Sequence, residues 1–277
     1  MYFGIMQGRL SMRRGTQLQS FPWETWDKEF IIAAKCQYDS IEWVFESDGF
    51  QHNPIWTTNG RKEILNLVKE SGVAVKSLCG NYFMDNPLFG VSESDRKSNV
   101  LQFKELIKKA SSVGVQTILL PLLEQSALTS SDDVDVLLSS LYECSADITN
   151  FGVKIGLETD LPAGVYLDLI NALNSPLFGA YYDIGNAAYC GYNIIEDIEI
   201  LRNVLLGIHI KDRKRAGQSV YLGDGDANLE MIIPFLMGLN YDNGLVFEHY
   251  YDESPVDTAN WNLMYLKKII GINSLKI

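Results

Sequence analysis

Short apolar runs recur along this chain. Each ends on a polar residue and is followed by a loop and then a stretch with helical spacing. The runs are Tyr2–Gln7, Ser40–Phe45, Ala74–Cys79, Gln116–Pro121, Lys154–Glu158, Gly179–Asp183, Leu205–Ile210 and Gly244–Glu248. They are continuous rather than alternating, which suits strands buried on both faces of a parallel sheet. Amphipathic stretches lie between and after them: Trp23–Cys36, Arg61–Ser71, Ser94–Val113, Asp132–Phe151, Ala163–Leu173, Ile194–Asn203, Leu229–Leu239 and Pro255–Ile270. Ser71-Gly72 and Val113-Gly114 place a glycine just past a helix, immediately before the next strand. Eight strand–helix repeats in 277 residues average about 35 residues each. Strict alternation implies parallel strands joined by right-handed crossovers, and eight units can close. The expected fold is α/β, a single (β/α)8 TIM barrel over residues 1–277. An open doubly wound sheet is the competing architecture. It usually opens with a Gly-rich phosphate turn, and Gln7-Gly8-Arg9-Leu10 is not one.

Composition fits that size. Hydrophobic residues make up 47% and charged residues 21%, which allows a large core and gives no sign of disorder. No apolar run is long enough to span a bilayer, and the first ten residues lack the pattern of a signal peptide. Cys36, Cys79, Cys144 and Cys190 form no CxxC pair and read as reduced thiols, so a cytoplasmic location is expected. A net charge of −12 argues against nucleic acid as the main partner, while leaving room for a local pocket for a small anion.

In such a barrel the chemistry sits at the C-terminal ends of the strands. Strand five ends at Glu158, strand six at Asp183, strand seven carries His209, and strand eight ends at Glu248. Any one of these carboxylates, taken alone, can be no more than the N-cap of the next helix, and a lone histidine can be a hydrogen-bonded core residue. Together on successive strands they converge on one rim, where three carboxylates and an imidazole repel unless a cation joins them. That set suits one divalent metal, Mn²⁺, Mg²⁺, Co²⁺ or Zn²⁺, without choosing among them.

Basic residues gather on the same rim. Arg9, Arg13 and Arg14 follow strand one, and Lys211, Arg213, Lys214 and Arg215 follow strand seven. Closure brings these loops close together, and they read either as a site for a substrate phosphate or carboxylate or as solvated loops. Gly223-Asp-Gly225 can lend backbone N–H groups to that anion, although a plain turn explains it equally well. Trp43, Phe45, Tyr82, Phe83 and Tyr182 lie at strand ends, where they form either an apolar wall for a sugar ring or part of the core. Glu124 after strand four and Asp212 after strand seven are expected to support the ligands from behind. His52 and His249 are read as structural.

The motifs Gly4-Ile-Met-Gln-Gly-Arg-Leu10, Ile41-Glu-Trp43, Gly156-Leu-Glu-Thr159, Asp183-Ile-Gly-Asn186, His209-Ile-Lys-Asp212, Leu222-Gly-Asp-Gly225 and Phe247-Glu248 run the length of the chain. In these the sequence resembles the xylose isomerase-like barrels of sugar isomerases, epimerases and endonuclease IV-type enzymes. The likeness is nearest to ketose 3-epimerases and ribulose-phosphate 3-epimerases. The resemblance implies metal ligation by Glu158, Asp183, His209 and Glu248. It also implies catalysis on a sugar or sugar phosphate through a metal-bound enediolate, with Glu158 and Glu248 moving the proton on opposite faces of the sugar. Arg9, Trp43, Asn186, Lys211, Arg213 and Arg215 are then expected to contact substrate. Many ketose epimerases carry histidine where this chain has Asn186, so this residue is expected to orient a hydroxyl rather than shuttle a proton. Three histidines are too few for the trinuclear zinc site of the endonucleases. A sugar dehydratase or endonuclease IV-like enzyme on the same barrel and a non-catalytic sugar-binding barrel remain alternatives. Barrels of this kind often pair, which leaves a homodimer open.

Overall fold

The computed structural model describes residues 1–13, 19–250 and 253–271. Its strands are β1 (Tyr2–Met6), β2 (Ser40–Val44), β3 (Ala74–Cys79), β4 (Thr117–Leu122), β5 (Lys154–Thr159), β6 (Phe178–Asp183), β7 (Leu205–Ile210), β8 (Asp212–Arg213), β9 (Ser219–Val220) and β10 (Gly244–Phe247). Eight of them close into a barrel in the order β1-β10-β7-β6-β5-β4-β3-β2. Closure is made by parallel pairing of β1 with β10, with Phe3 opposite Leu245 and Gly4 opposite Val246. The apolar runs mark the barrel strands to within one residue at every end, because strands walled in on both faces admit almost nothing polar. The pair β8–β9 is a small antiparallel hairpin at the C-terminal rim that periodicity does not reveal.

The helices are α1 (Lys28–Lys35), α2 (Thr58–Ser71), α3 (Tyr82–Asp85), α4 (Glu93–Ser111), α5 (Ser131–Phe151), α6 (Ala163–Ala172), α7 (Ile184–Cys190), α8 (Ile194–Leu201), α9 (Leu229–Gly238) and α10 (Pro255–Ile270). Gly72 ends α2 at φ +75°, a left-handed cap that glycine adopts without strain. The first helix is shorter than expected. Pro22–Asp27 forms turns, with Thr25 and Trp26 N–H both bonded to the Pro22 carbonyl, and α1 begins at Lys28. Two short helices, α3 and α7, were not expected; α7 starts directly at the C-terminal end of β6, and α3 follows β3 after Gly80 and Asn81. No helix among the described residues is long and apolar enough to cross a membrane.

Glycines shape the barrel interior. A Cβ on Gly244 would lie 2.4 Å from Tyr2 Cζ, and one on Gly207 would lie 2.3 Å from Tyr181 Cε2. The absent side chains are the space those two rings occupy. Tyr181 is fully buried, as is Trp43, yet the two point to opposite sides of the barrel wall: Tyr181 reaches inward to Glu42, while Trp43 packs outside against Trp26.

Candidate metal centre

Four consecutive strands deliver the expected groups to one place. Glu158 on β5, Asp183 at the end of β6, His209 on β7 and Glu248 just past β10 each offer one ligand atom, and these atoms lie within 4.8 Å of one another. All four residues are buried. Asp183 fills both roles that a strand-end carboxylate can have. Its Oδ1 accepts the Asn186 N–H at 2.8 Å and caps α7, while Oδ2 turns toward His209 Nδ1, 3.9 Å away.

Histidine orientation follows from a residue that strand reading missed. Glu42 of β2 is fully buried, and its Oε1 lies 2.7 Å from His209 Nε2. Tyr181 donates its hydroxyl to Glu42 Oε2. His209 Nδ1 is left facing the carboxylates, 3.0 Å from Glu248 Oε2. The signal for Glu42 was present in Ser40-Ile-Glu-Trp-Val44: a carboxylate inside an otherwise apolar strand must have a buried partner.

The carboxyls are driven apart electrostatically. Burial pushes Glu158 up to about 8, and Asp183 and Glu248 add like charge. Burial also raises Asp183. Burial acts the same way on Glu248, but Lys211 and His209 more than reverse it and hold that carboxyl well below the usual range. Burial opposes charge on His209, and Glu42 and Glu248 overcome it to keep the imidazole well above its ordinary value.

Several expected positions come out differently. Lys211 sits inside the cluster, with Nζ donating to Glu248 Oε1 at 2.7 Å and lying 3.4 Å from Asp183 Oδ2. Arg9 is buried beside Glu248, 3.5 Å from Oε1. The turn that carries Arg9 is tied to α1 by Glu29, which accepts the Gly8 N–H at 3.1 and 3.0 Å and the Ser11 hydroxyl at 2.7 Å. Arg213 donates to Asn186 Oδ1 at 3.0 Å and to the Gly217 carbonyl, and stacks over Tyr189. Asn186 in turn donates to Glu158 Oε1 at 3.1 Å. Lys214 and Arg215 are exposed, and Arg14 lies outside the described residues.

Three expectations are corrected. Trp43 is fully buried against Phe21 and Trp26 and donates its indole N–H to Asn53, so it packs the core and offers no wall to a sugar. Glu124 is exposed in a 3₁₀ turn, and among the described residues no hydrogen bond ties it to the four ligands. Asp212 supports the rim and not the ligands: its carboxylate accepts the N–H groups of Gly223, Gly225 and Ala227 at 2.9, 3.0 and 3.1 Å. Those glycine N–H groups are therefore taken, and they do not form the anion cradle expected of Gly223-Asp-Gly225.

The sequence profile of the family described as the xylose isomerase-like TIM barrel matches residues 30–269. Among curated proteins, the L-ribulose-5-phosphate 3-epimerase UlaE of Salmonella heidelberg (strain SL476) is 24% identical over 242 residues, covering 84% of this chain and 85% of that protein. The crystal structure of D-psicose 3-epimerase with D-tagatose from Clostridium cellulolyticum H10 superposes with a TM-score of 0.78 at 14% identity, covering 98% of this chain and 99% of that one. The IolI protein, solved with a zinc atom, superposes at 0.77 with 16% identity over 99% of this chain and 100% of its own.

Proposed function

The chain belongs to the xylose isomerase-like TIM-barrel family, and on that premise we propose that it is a divalent-metal-dependent epimerase or isomerase of a sugar or sugar phosphate. One observation carries the reading. Three buried carboxylates and an imidazole nitrogen bring their ligand atoms together within 4.8 Å of one another. Like charges this close are costly, Lys211 and Arg9 offset only part of that cost, and the oxygen-rich set with one nitrogen fits Mn²⁺, Mg²⁺, Co²⁺ or Zn²⁺. Glu158, Asp183, His209 and Glu248 would hold the ion. Such an ion supplies Lewis-acid polarisation of a substrate carbonyl.

The remaining chemistry belongs to the side chains. By their protein surroundings alone, burial pushes Glu158 up to about 8, while Lys211 and His209 hold Glu248 low, so the two carboxyls differ in proton affinity. Two carboxyls of unlike proton affinity therefore stand together, which suits an acid and a base for proton transfer on a sugar. Glu248 takes the proton from the carbon α to the carbonyl. Glu158 gives its own proton to the opposite face, and the configuration inverts. Asn186 bridges Glu158 to Arg213 and so orients the acid; a carboxamide cannot relay the proton itself. Lys211 and Arg9 keep Glu248 ionised. Arg215, exposed on the same rim, and Arg213 beside it could meet a substrate phosphate. The relatives named as L-ribulose-5-phosphate 3-epimerases support a phosphorylated ketose.

The test is the metal content of purified protein, wild type beside Asp183→Ala, followed by incubation with ketoses and ketose phosphates in D₂O. About one equivalent of metal, lost in the variant, with deuterium entering at the carbon next to the carbonyl, is expected. Three zinc ions per chain would move the protein to the endonuclease branch. A protein that takes up none of the four metals would be a non-catalytic barrel.

A further inference from the structure

We propose that Glu42 is the positioning residue of this centre: it fixes His209 in the tautomer that presents Nδ1 to the metal, and Tyr181 fixes Glu42. The inference rests on the metal centre proposed above and deepens it. The four ligands come from adjacent strands, but Glu42 comes from β2, which in the barrel order is separated from β7 by β1 and β10. Its carboxylate is fully buried, and both oxygens are engaged, Oε1 by His209 Nε2 at 2.7 Å and Oε2 by the Tyr181 hydroxyl. Among the described residues, His209 is the one basic side chain within ion-pair distance of it. A buried carboxylate with no lysine or arginine beside it is costly, and here the imidazole is the basic neighbour that offsets that cost.

Geometry fixes the direction of that effect. With its proton on Nε2 pointing at Glu42, the ring leaves the Nδ1 lone pair facing Glu248 and Asp183. A carboxylate behind a ligating histidine sets its tautomer and raises its donor strength. The holder of the holder is also built in. The Tyr181 ring lies in a slot that exists because β5 and β7 carry glycine, since a Cβ on Gly156 or Gly207 would come within 2.9 or 2.3 Å of it. The same ring meets the His209 imidazole edge-on, with centroids 4.9 Å apart and an interplanar angle of 67°. Glycine slot, tyrosine, glutamate and histidine thus form one chain of contacts that ends at the ligand atom.

Mn²⁺ affinity is measured by titration against a chelator for wild type, Glu42→Gln, Tyr181→Phe and Asp183→Ala, and the histidine nitrogens of the Zn²⁺-loaded wild type are assigned by ¹⁵N NMR. Glutamine keeps the shape of Glu42 but loses the charge, and its amide N–H can drive the imidazole proton onto Nδ1. Affinity in Glu42→Gln is expected to fall by about 10- to 100-fold. Tyr181→Phe keeps the ring in its slot and removes only the hydroxyl, with an expected loss of about fivefold, one hydrogen bond. The NMR spectrum is expected to show a protonated Nε2 and a metal-bound Nδ1 in His209, a signature that a purely structural role for Glu42 would not set. A folded Glu42→Gln that binds as tightly as wild type, or metal on Nε2, overturns this inference while leaving the centre standing. If Glu42→Gln does not fold, unchanged affinity in Tyr181→Phe or metal on Nε2 overturns it instead. A wild type that binds no ion overturns both the inference and the centre.

Discussion

Replacing Glu29 by glutamine should change how the stability of this protein depends on pH. The Glu29 side chain is buried on α1 and ties down the turn from Gly8 to Ser11 that carries Arg9. Burial pushes its carboxyl from an ordinary 4.5 up to about 7, against the pull of the Gly8 N–H. The folded state therefore binds this proton more tightly than the unfolded chain does. The stability it contributes is fully present below about pH 4.5 and is lost as pH rises through about 7. At about 1.4 kcal/mol for each pH unit of displacement, the loss amounts to about 3 kcal/mol, most of it between pH 5 and pH 8. Glutamine carries no titrating proton. Urea unfolding of both proteins across that range gives two curves, and their difference isolates Glu29, because the buried groups of the metal centre titrate in both. Wild type is expected to lose about 3 kcal/mol more than the variant on going to the alkaline end. Two curves that run parallel to within about 0.5 kcal/mol would refute the reasoning, and would mean that the Gly8 and Ser11 bonds hold the carboxylate charged at its ordinary pKa.

Other substitutions have equally definite outcomes. Glu248→Gln removes the proposed base and should lower solvent deuterium exchange into a ketose substrate by at least about 100-fold, read by NMR in D₂O, with the fold intact by circular dichroism. Gly207→Ala drives a methyl group into the Tyr181 ring and should cost about 2 kcal/mol in unfolding free energy; a stability equal to wild type would mean that the ring moves freely. Asp212→Ala leaves the N–H groups of Gly223, Gly225 and Ala227 without their acceptor, and hydrogen exchange at those three amides should accelerate by about tenfold or more, while the core strands stay protected.

What could be read from the sequence divides along a physical line. The barrel strands were legible because burial on both faces leaves an apolar run with sharp ends. The quartet was legible because each of its members interrupts or ends such a run. Position along the chain, however, says nothing about partners across the barrel. Glu42 lies 167 residues from the histidine it holds, and its role appears only when β2 and β7 face one interior. The same gap explains the basic residues. Their loops were visible, but not that Lys211 would turn into the carboxylates or that Arg213 would settle on Asn186 and Tyr189. Gly223-Asp-Gly225 has the composition of an anion cradle, and only the Asp212 contacts reveal that its amides are already engaged. The helix α7 was hidden because its seven residues begin at the very carboxylate that ends a strand.

The ligands all come from β5, β6, β7 and the end of β10, whereas Glu42 arrives from β2. The later half of the chain thus carries the four groups proposed to meet an ion, and the earlier half contributes the carboxylate proposed to aim one of them. Such an arrangement makes the reactive centre a reporter of completed assembly. A nascent or partly unravelled barrel whose first strands have not docked can gather carboxylates, but its imidazole has nothing behind it to set the proton. If the centre is as proposed, metal affinity would then depend on closure of the barrel by its first strands.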